Sequence, residues 1–192
     1  MPARYVVVIG ASAGGLEGLT RIVRDLEPRL HAAFFVVVHL PPAPPSRLAL
    51  ILGRATRCPT AAVAGREPIE AGRIYVAPAN RHLVVEPGWV TASDAPTENR
   101  HRPSIDMLFR SAALAYLDRT IGVVLSGTLD DGTAGLRWIK RCDGCAIVQD
   151  PDEAPFAAMP SSAIANVEVD RVLPAGRIAA AIAEIVEAPA TA

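Results

Sequence analysis

Short apolar runs alternate along this chain with segments in which apolar residues recur at helical spacing. The runs predict strands over Tyr5–Gly10, Phe34–His39, Ile74–Ala77, Leu83–Glu86, Ile121–Ser126 and Ala146–Gln149. The helical periodicity predicts helices over Leu16–Leu26, Ser46–Arg54, Ser104–Tyr116, Gly132–Cys142, Pro160–Asn166 and Ala175–Val186. Strand and helix in alternation point to βαβ units and an α/β fold with a largely parallel sheet. Phe34-Phe35-Val36-Val37-Val38 is apolar at every position, as a strand covered by helices on both faces must be.

Two stretches break the alternation. Pro41-Pro42-Ala43-Pro44-Pro45 predicts a stiff, extended loop with no helix before Ser46. Residues 61–103 carry short strand signals and a Pro87-Gly88 turn, and read as an inserted antiparallel hairpin region. There is no internal repeat. Residues 1–187 form one expected domain, and 188–192 a frayed tail.

A chain of 192 residues can bury a sizeable core. With 51% hydrophobic and 20% charged residues it has the balance of an ordinary soluble protein, and with 5% aromatics its core must be built mainly from Ala, Val, Ile and Leu. The formal net charge of −1 gives no global reason to expect nucleic acid or an anionic membrane as partner. No apolar run is long enough to span a bilayer and the N-terminus lacks a signal layout, so the expected location is cytoplasmic. The three cysteines, Cys58, Cys142 and Cys145, make no disulfide framework and read as free thiols. Cys142-Asp143-Gly144-Cys145 is one C-x-x-C without a second pair and reads as a turn; no metal is expected there.

The candidate chemistry sits at the ends of three predicted strands. Val6-Val7-Val8-Ile9-Gly10-Ala11-Ser12-Ala13-Gly14-Gly15-Leu16 runs a buried strand into a glycine-bracketed serine and straight into a helix. That is the layout of a nucleophile elbow, which lifts a serine hydroxyl above the end of a sheet. The second strand ends at His39, and the 121–126 strand runs into Ser126-Gly127-Thr128-Leu129-Asp130-Asp131-Gly132. Ligand sites in open α/β sheets gather beyond these carboxyl ends. Serine needs a base to accept its proton, and a histidine base needs an aspartate to orient it. Ser12, His39 and Asp131 can fill those roles. The amide of Ala13, with one from the Gly127-Thr128 turn, could receive a developing oxyanion.

Each residue also has a plainer reading. Ser12 could cap the following helix, or Gly10, Gly14 and Gly18 could cradle a phosphate, although their spacing fits neither a dinucleotide fingerprint nor a P-loop. His39 could be a hydrogen-bonded structural histidine. Asp131 could cap a helix beginning at Gly132. His31, His82 and His101 follow no comparable buried strand and read as surface or hairpin residues. The acidic loop Gln149-Asp150-Pro151-Asp152-Glu153 reads as solvated, though its place after a strand end would let it line the cleft.

Taken together, these motifs resemble the catalytic domain of the bacterial chemotaxis protein-glutamate methylesterases (CheB type). The resemblance rests on Ile9 to Gly15, Val38-His39, Ile74 to His82, Arg102-Pro103-Ser104-Ile105-Asp106, Gly122 to Gly127, Asp131-Gly132, Gln149-Asp150 and Met159-Pro160. It implies a doubly wound, mostly parallel sheet and a serine esterase that removes methyl groups from glutamyl methyl esters on the cytoplasmic helices of chemoreceptors, releasing methanol. Deamidation of receptor glutamines is a second implied activity, and no cofactor is implied. Carried over by position, Ser12 is the nucleophile, His39 the base and Asp131 its orienting acid. The chain departs from the family at Ala13, where threonine is usual, and at Leu129, where glycine commonly precedes the Asn-Asp-Gly step. Chemotaxis methylesterases usually carry a receiver domain before this unit, whereas the catalytic strand here starts at Tyr5, which suggests a stand-alone member or a fragment. The alternatives are a small-molecule carboxylesterase or amidase with the same triad, and a non-catalytic regulatory binding module.

Overall fold

The computed structural model describes residues 1–39 and 47–188. The expected proline-rich loop, the Ser46 start of its helix and residues 189–192 lie outside the described residues. In chain order the elements are β1 (Tyr5–Ala11), α1 (Gly15–Arg24), β2 (Ala32–Val38), α2 (Leu48–Ala55), β3 (Thr60–Ala62), β4 (Arg66–Pro68), β5 (Ile74–Val76), β6 (His82–Glu86), β7 (Trp89–Ser93), α3 (Ile105–Tyr116), β8 (Thr120–Val124), α4 (Thr133–Arg141), β9 (Cys145–Gln149), α5 (Ala158–Asn166), β10 (Arg171–Leu173) and α6 (Ala175–Glu187). Every expected strand and helix is present, with ends shifted by a residue or two.

The main sheet has seven strands in the order β10-β9-β8-β1-β2-β5-β3, every pair parallel. A smaller antiparallel sheet has the order β4-β7-β6. The hairpin expected within 61–103 is therefore real as β6–β7, but that stretch is not hairpin alone. Its β5, and β3 across its start, add to the main sheet as parallel strands. Those pieces are three residues each, too short to show a period.

Alternate side chains of β1 enter two separate cores. Val6 and Val8 pack with Leu108 and Phe109 of α3 and Leu136 of α4, and Val7 and Ile9 with Leu19 and Ile22 of α1 and Ile178 of α6. Burying each such side chain contributes roughly 1.5–3 kcal/mol, so a strand apolar on both faces belongs in the middle of a covered sheet. β1 lies there, paired with β2 on one side and β8 on the other. The chain reverses its direction of travel across the sheet between β1 and β8, and that switch point opens a crevice beyond the strand ends.

Candidate active site

Ser12 follows β1 directly in that crevice. Its amide donates to the Ser126 carbonyl (3.0 Å), and its carbonyl accepts from the Gly15 amide (3.0 Å). The plainer reading of Ser12 as a helix cap is not realised. The cap of α1 is Gly14, in the left-handed region at φ 70°, and no side chain among the described residues caps that helix. Ser12 Oγ makes no hydrogen bond among the described residues.

Ser126 stitches the loops together. Its amide donates to Gln149 Oε1 (2.8 Å), its hydroxyl to the Ala13 carbonyl (2.8 Å), and that hydroxyl oxygen accepts from the Phe156 amide (3.0 Å). Gln149 of the acidic loop is thus buried support, while the loop that follows it remains largely at the surface. The next residue, Gly127, has no room for a side chain. A Cβ there would overlap the Met159 sulfur and come within 2.8 Å of Ser12 Cβ. Gly127→Ala is expected to cost about 1–3 kcal/mol and, by displacing Ser12, to lower at least about tenfold any turnover that depends on its hydroxyl. Chemical denaturation beside a turnover assay checks both, and full activity in a folded variant would contradict this.

His39 closes β2 on the neighbouring strand, its amide donating to the Ala11 carbonyl (3.0 Å). Its Nε2 lies 2.9 Å from Asp131 Oδ2, with both side chains nearly excluded from solvent. The ring is turned so that neither nitrogen makes a well-angled hydrogen bond among the described residues. One face of the ring is covered by His101, stacked at 3.7 Å between centroids and 11° between planes. His101 is therefore a correction to the reading of the remaining histidines as surface or hairpin residues. His82 is on the hairpin but fully buried, its Nδ1 accepting from the Ser104 amide (3.1 Å), and His31 is exposed.

Asp131 does not cap the helix that follows it. The cap of α4 is Gly132, and the Asp131 carboxylate turns instead to the start of α3. Oδ2 accepts from the Ile105 amide (2.8 Å), and Oδ1 from the Asp106 amide (3.0 Å) and the Ser104 hydroxyl (3.2 Å). Asp106 returns the arrangement, its Oδ1 accepting from the Gly132 (2.9 Å) and Gly135 (2.7 Å) amides at the start of α4. Each aspartate thus sits on the positive end of the other's helix. Burial alone would raise Asp131, but the His39 contact and the Ile105 and Asp106 amides outweigh it and hold the carboxyl below its ordinary value. Asp106, pushed by burial and then by the Asp131 charge, rises to about 7.

The two carboxyls have opposite pH signatures. Between Asp106's ordinary 3.8 and about 7, the unfolded chain releases a proton that the folded one keeps. The stability from Asp106 is present in full below that range and is lost as pH rises through it, whereas that from Asp131 is lost as pH falls below its ordinary value. Asp106→Asn keeps an oxygen for the two amides. It is expected to flatten the decline in thermal midpoint from about pH 4 to 7, and a decline as steep as in the unaltered protein would contradict the assignment.

The amides of Ala13 and Thr128 donate to no acceptor among the described residues, and the Thr128 side is exposed. Leu129 stands at φ 65°, in the left-handed region where glycine is at ease and a leucine costs about 1 kcal/mol or more. Cys142 closes α4 and Cys145 opens β9, with Asp143 at φ 62° making the turn between them. Burial, followed by the charge of Asp170, raises the Cys145 thiol to about 11, which suits an inert side chain.

A parallel α/β sheet that collects a serine, a histidine against a buried aspartate, and open amides at its switch point has the layout of a serine hydrolase. Comparison with known proteins makes the class specific. Residues 7–182 match the family model described as CheB methylesterase, and the chain belongs to that family. It is 39% identical over 180 residues to protein-glutamate methylesterase/protein-glutamine glutaminase 2 of Anaeromyxobacter dehalogenans, a match covering 94% of this chain and 53% of that protein. A putative protein-glutamate methylesterase/protein-glutamine glutaminase of Leptospira interrogans is 38% identical over 174 residues, with 90% of each chain covered. The chain thus spans about half the length of the first relative and most of the second. The crystal structure of the Thermotoga maritima CheB methylesterase catalytic domain superposes with a TM-score of 0.89 at 32% identity, covering 94% of this chain and 98% of that one. Among the described residues no helix is long and apolar enough to cross a membrane.

Three of the residues singled out from the sequence, Ser12, His39 and Asp131, lie at neighbouring strand ends, and two of them touch. Sequence reasoning missed His101, Asp106, Ser126 and Gln149. The available signal was weak: Ser104 and Asp106 are polar residues at a helix start, and Gln149 is a polar residue ending a buried strand.

Proposed function

We propose that this chain is a protein-glutamate methylesterase acting on glutamyl methyl esters of chemoreceptor cytoplasmic helices. The observation that carries the mechanism is the contact of His39 Nε2 with buried Asp131, at the end of the strand that neighbours the one leading to Ser12. Because Nε2 faces Asp131, Nδ1 is the nitrogen left to take the Ser12 proton. Ser12 Oγ then attacks the ester carbonyl, and the carbonyl oxygen becomes an oxyanion held by the Ala13 and Thr128 amides. His39 returns the proton to the departing methoxide, which leaves as methanol. Water, deprotonated by the same nitrogen, cleaves the acyl-serine to give the free glutamate and restore Ser12.

Every group this route needs is a side chain or amide of the chain itself, so no cofactor enters the reaction. The names of the curated relatives add glutamine deamidation, which is the same acyl transfer with ammonia in place of methanol. The test is incubation with a receptor cytoplasmic fragment carrying labelled methyl esters. Labelled methanol is expected. A protein whose Ser12 reacts with a fluorophosphonate yet releases none would be an esterase of another substrate, and one that does not react would be a binding module.

A further inference from the structure

We propose that His101 is a positioning residue that fixes the ring plane of His39. The inference rests on the triad proposed above and adds a member to it. A histidine anchored through one ring nitrogen can still swing about that contact, and the nitrogen facing the serine moves most. The His39–Asp131 contact is looser still: Nε2 lies 2.9 Å from Asp131 Oδ2 without a well-angled hydrogen bond, and Nδ1 has no partner among the described residues. The His101 ring, parallel to within 11° and 3.7 Å away, blocks the swing on one face.

The turn that carries His101 is held on the same frame as Asp131. Glu98 and His101 exchange backbone hydrogen bonds (3.1 and 2.9 Å), closing a turn in which Asn99 (φ 47°) and Arg100 (φ 67°) are both left-handed. Two such residues in succession cost about 1 kcal/mol or more each, so the surroundings must enforce the shape. They do: Arg110 of α3 grips both Glu98 carboxylate oxygens at 2.6 and 2.7 Å, and Asn99 Nδ2 reaches Asp106 Oδ2 at 3.3 Å. α3 is the helix whose first amides hold Asp131. One rigid unit therefore presents both the carboxylate and the stacking ring to His39.

The stack also has to tolerate a cationic His39 in mid-reaction. The charged groups around His101 are His39, Asp131, Arg100 and Asp130. Burial first, and then the His39 charge, push His101 below its ordinary value, which favours the neutral ring beside a His39 that takes a proton. A neutral aromatic face against an imidazolium is favourable, whereas two imidazolium rings would repel.

The experiment compares His101→Ala and His101→Phe, using a small activated ester and the methylated receptor fragment, with the thermal midpoint measured for each. His101→Ala should lower kcat about 10- to 100-fold on the small ester with KM changed less than about twofold. His101→Phe should keep kcat within about threefold of the unaltered protein, because a flat ring is what the position supplies. If His101→Phe is as slow as His101→Ala, or if His101→Ala loses activity only in step with its folded fraction, the positioning role is wrong. Should His101→Ala fail to fold, the His101→Phe rate decides alone. Small-ester turnover without methanol from the receptor would sink the substrate reading and leave this one standing; a protein that turns over neither would remove both.

Discussion

Ser12→Ala should lower ester turnover by about 10^6-fold and leave the thermal midpoint where it was. The two halves of that expectation have separate causes. The hydroxyl is the proposed attacking atom, so its removal leaves only binding and the amides proposed to hold the oxyanion, which would retain a small residual rate. Its stability contribution is close to nothing, because Ser12 Oγ makes no hydrogen bond among the described residues. The backbone does the structural work here, through the Ser12 amide to the Ser126 carbonyl and the Gly15 amide to the Ser12 carbonyl. Methanol release and calorimetry on one preparation check both halves. Appreciable turnover in the alanine variant would overturn the mechanism, and a large fall in midpoint would overturn the account of the elbow.

Asp131→Asn should be costly on both counts. Turnover is expected to fall about 10^4-fold, because the new amide can donate to His39 Nε2 and so favour the tautomer with its proton on Nδ1, the nitrogen proposed to accept from Ser12. Stability should fall by about 1–3 kcal/mol, because Oδ1 and Oδ2 both accept from the start of α3 and an amide group retains only one acceptor oxygen. Asp130→Ala is the control. That side chain is exposed and, among the described residues, receives only Asn99 Nδ2 at 3.4 Å, so turnover should stay within about threefold. Steady-state kinetics on the pair decides between the adjacent aspartates, and the reverse order of effects would transfer the role to Asp130.

What could be read in advance follows from how locally each feature is encoded. β1, β2, β8 and β9 are runs of Val, Ile, Phe and Ala buried on both faces, and such a run is visible without knowing its neighbours. β4, with Arg66, Glu67 and Pro68, has no apolar pattern at all, and it exists because β7 lies beside it. The same division runs through the site. Ser12, His39 and Asp131 stand out because each follows a strand that is itself legible. His101 and Asp106 acquire their places only when α3 crosses the strand ends. Asp131 could be singled out from the sequence, but not that its carboxylate would serve a helix beginning at residue 105.

β1 and β8 are neighbours in the sheet although Ala13 and Ser126, which their ends bring together, are 113 positions apart along the chain. A ribosome therefore delivers the serine early and its surroundings late. A nascent chain that has reached β7 already carries Ser12 and His39 but has no Gly127 to shape the elbow and no Asp131 to face the imidazole. Pairing of such distant parallel strands is slow, because the long loop must close before its contacts form. Hydrolytic competence should therefore arrive in one late step with the closing of the sheet, and a half-made chain is chemically silent.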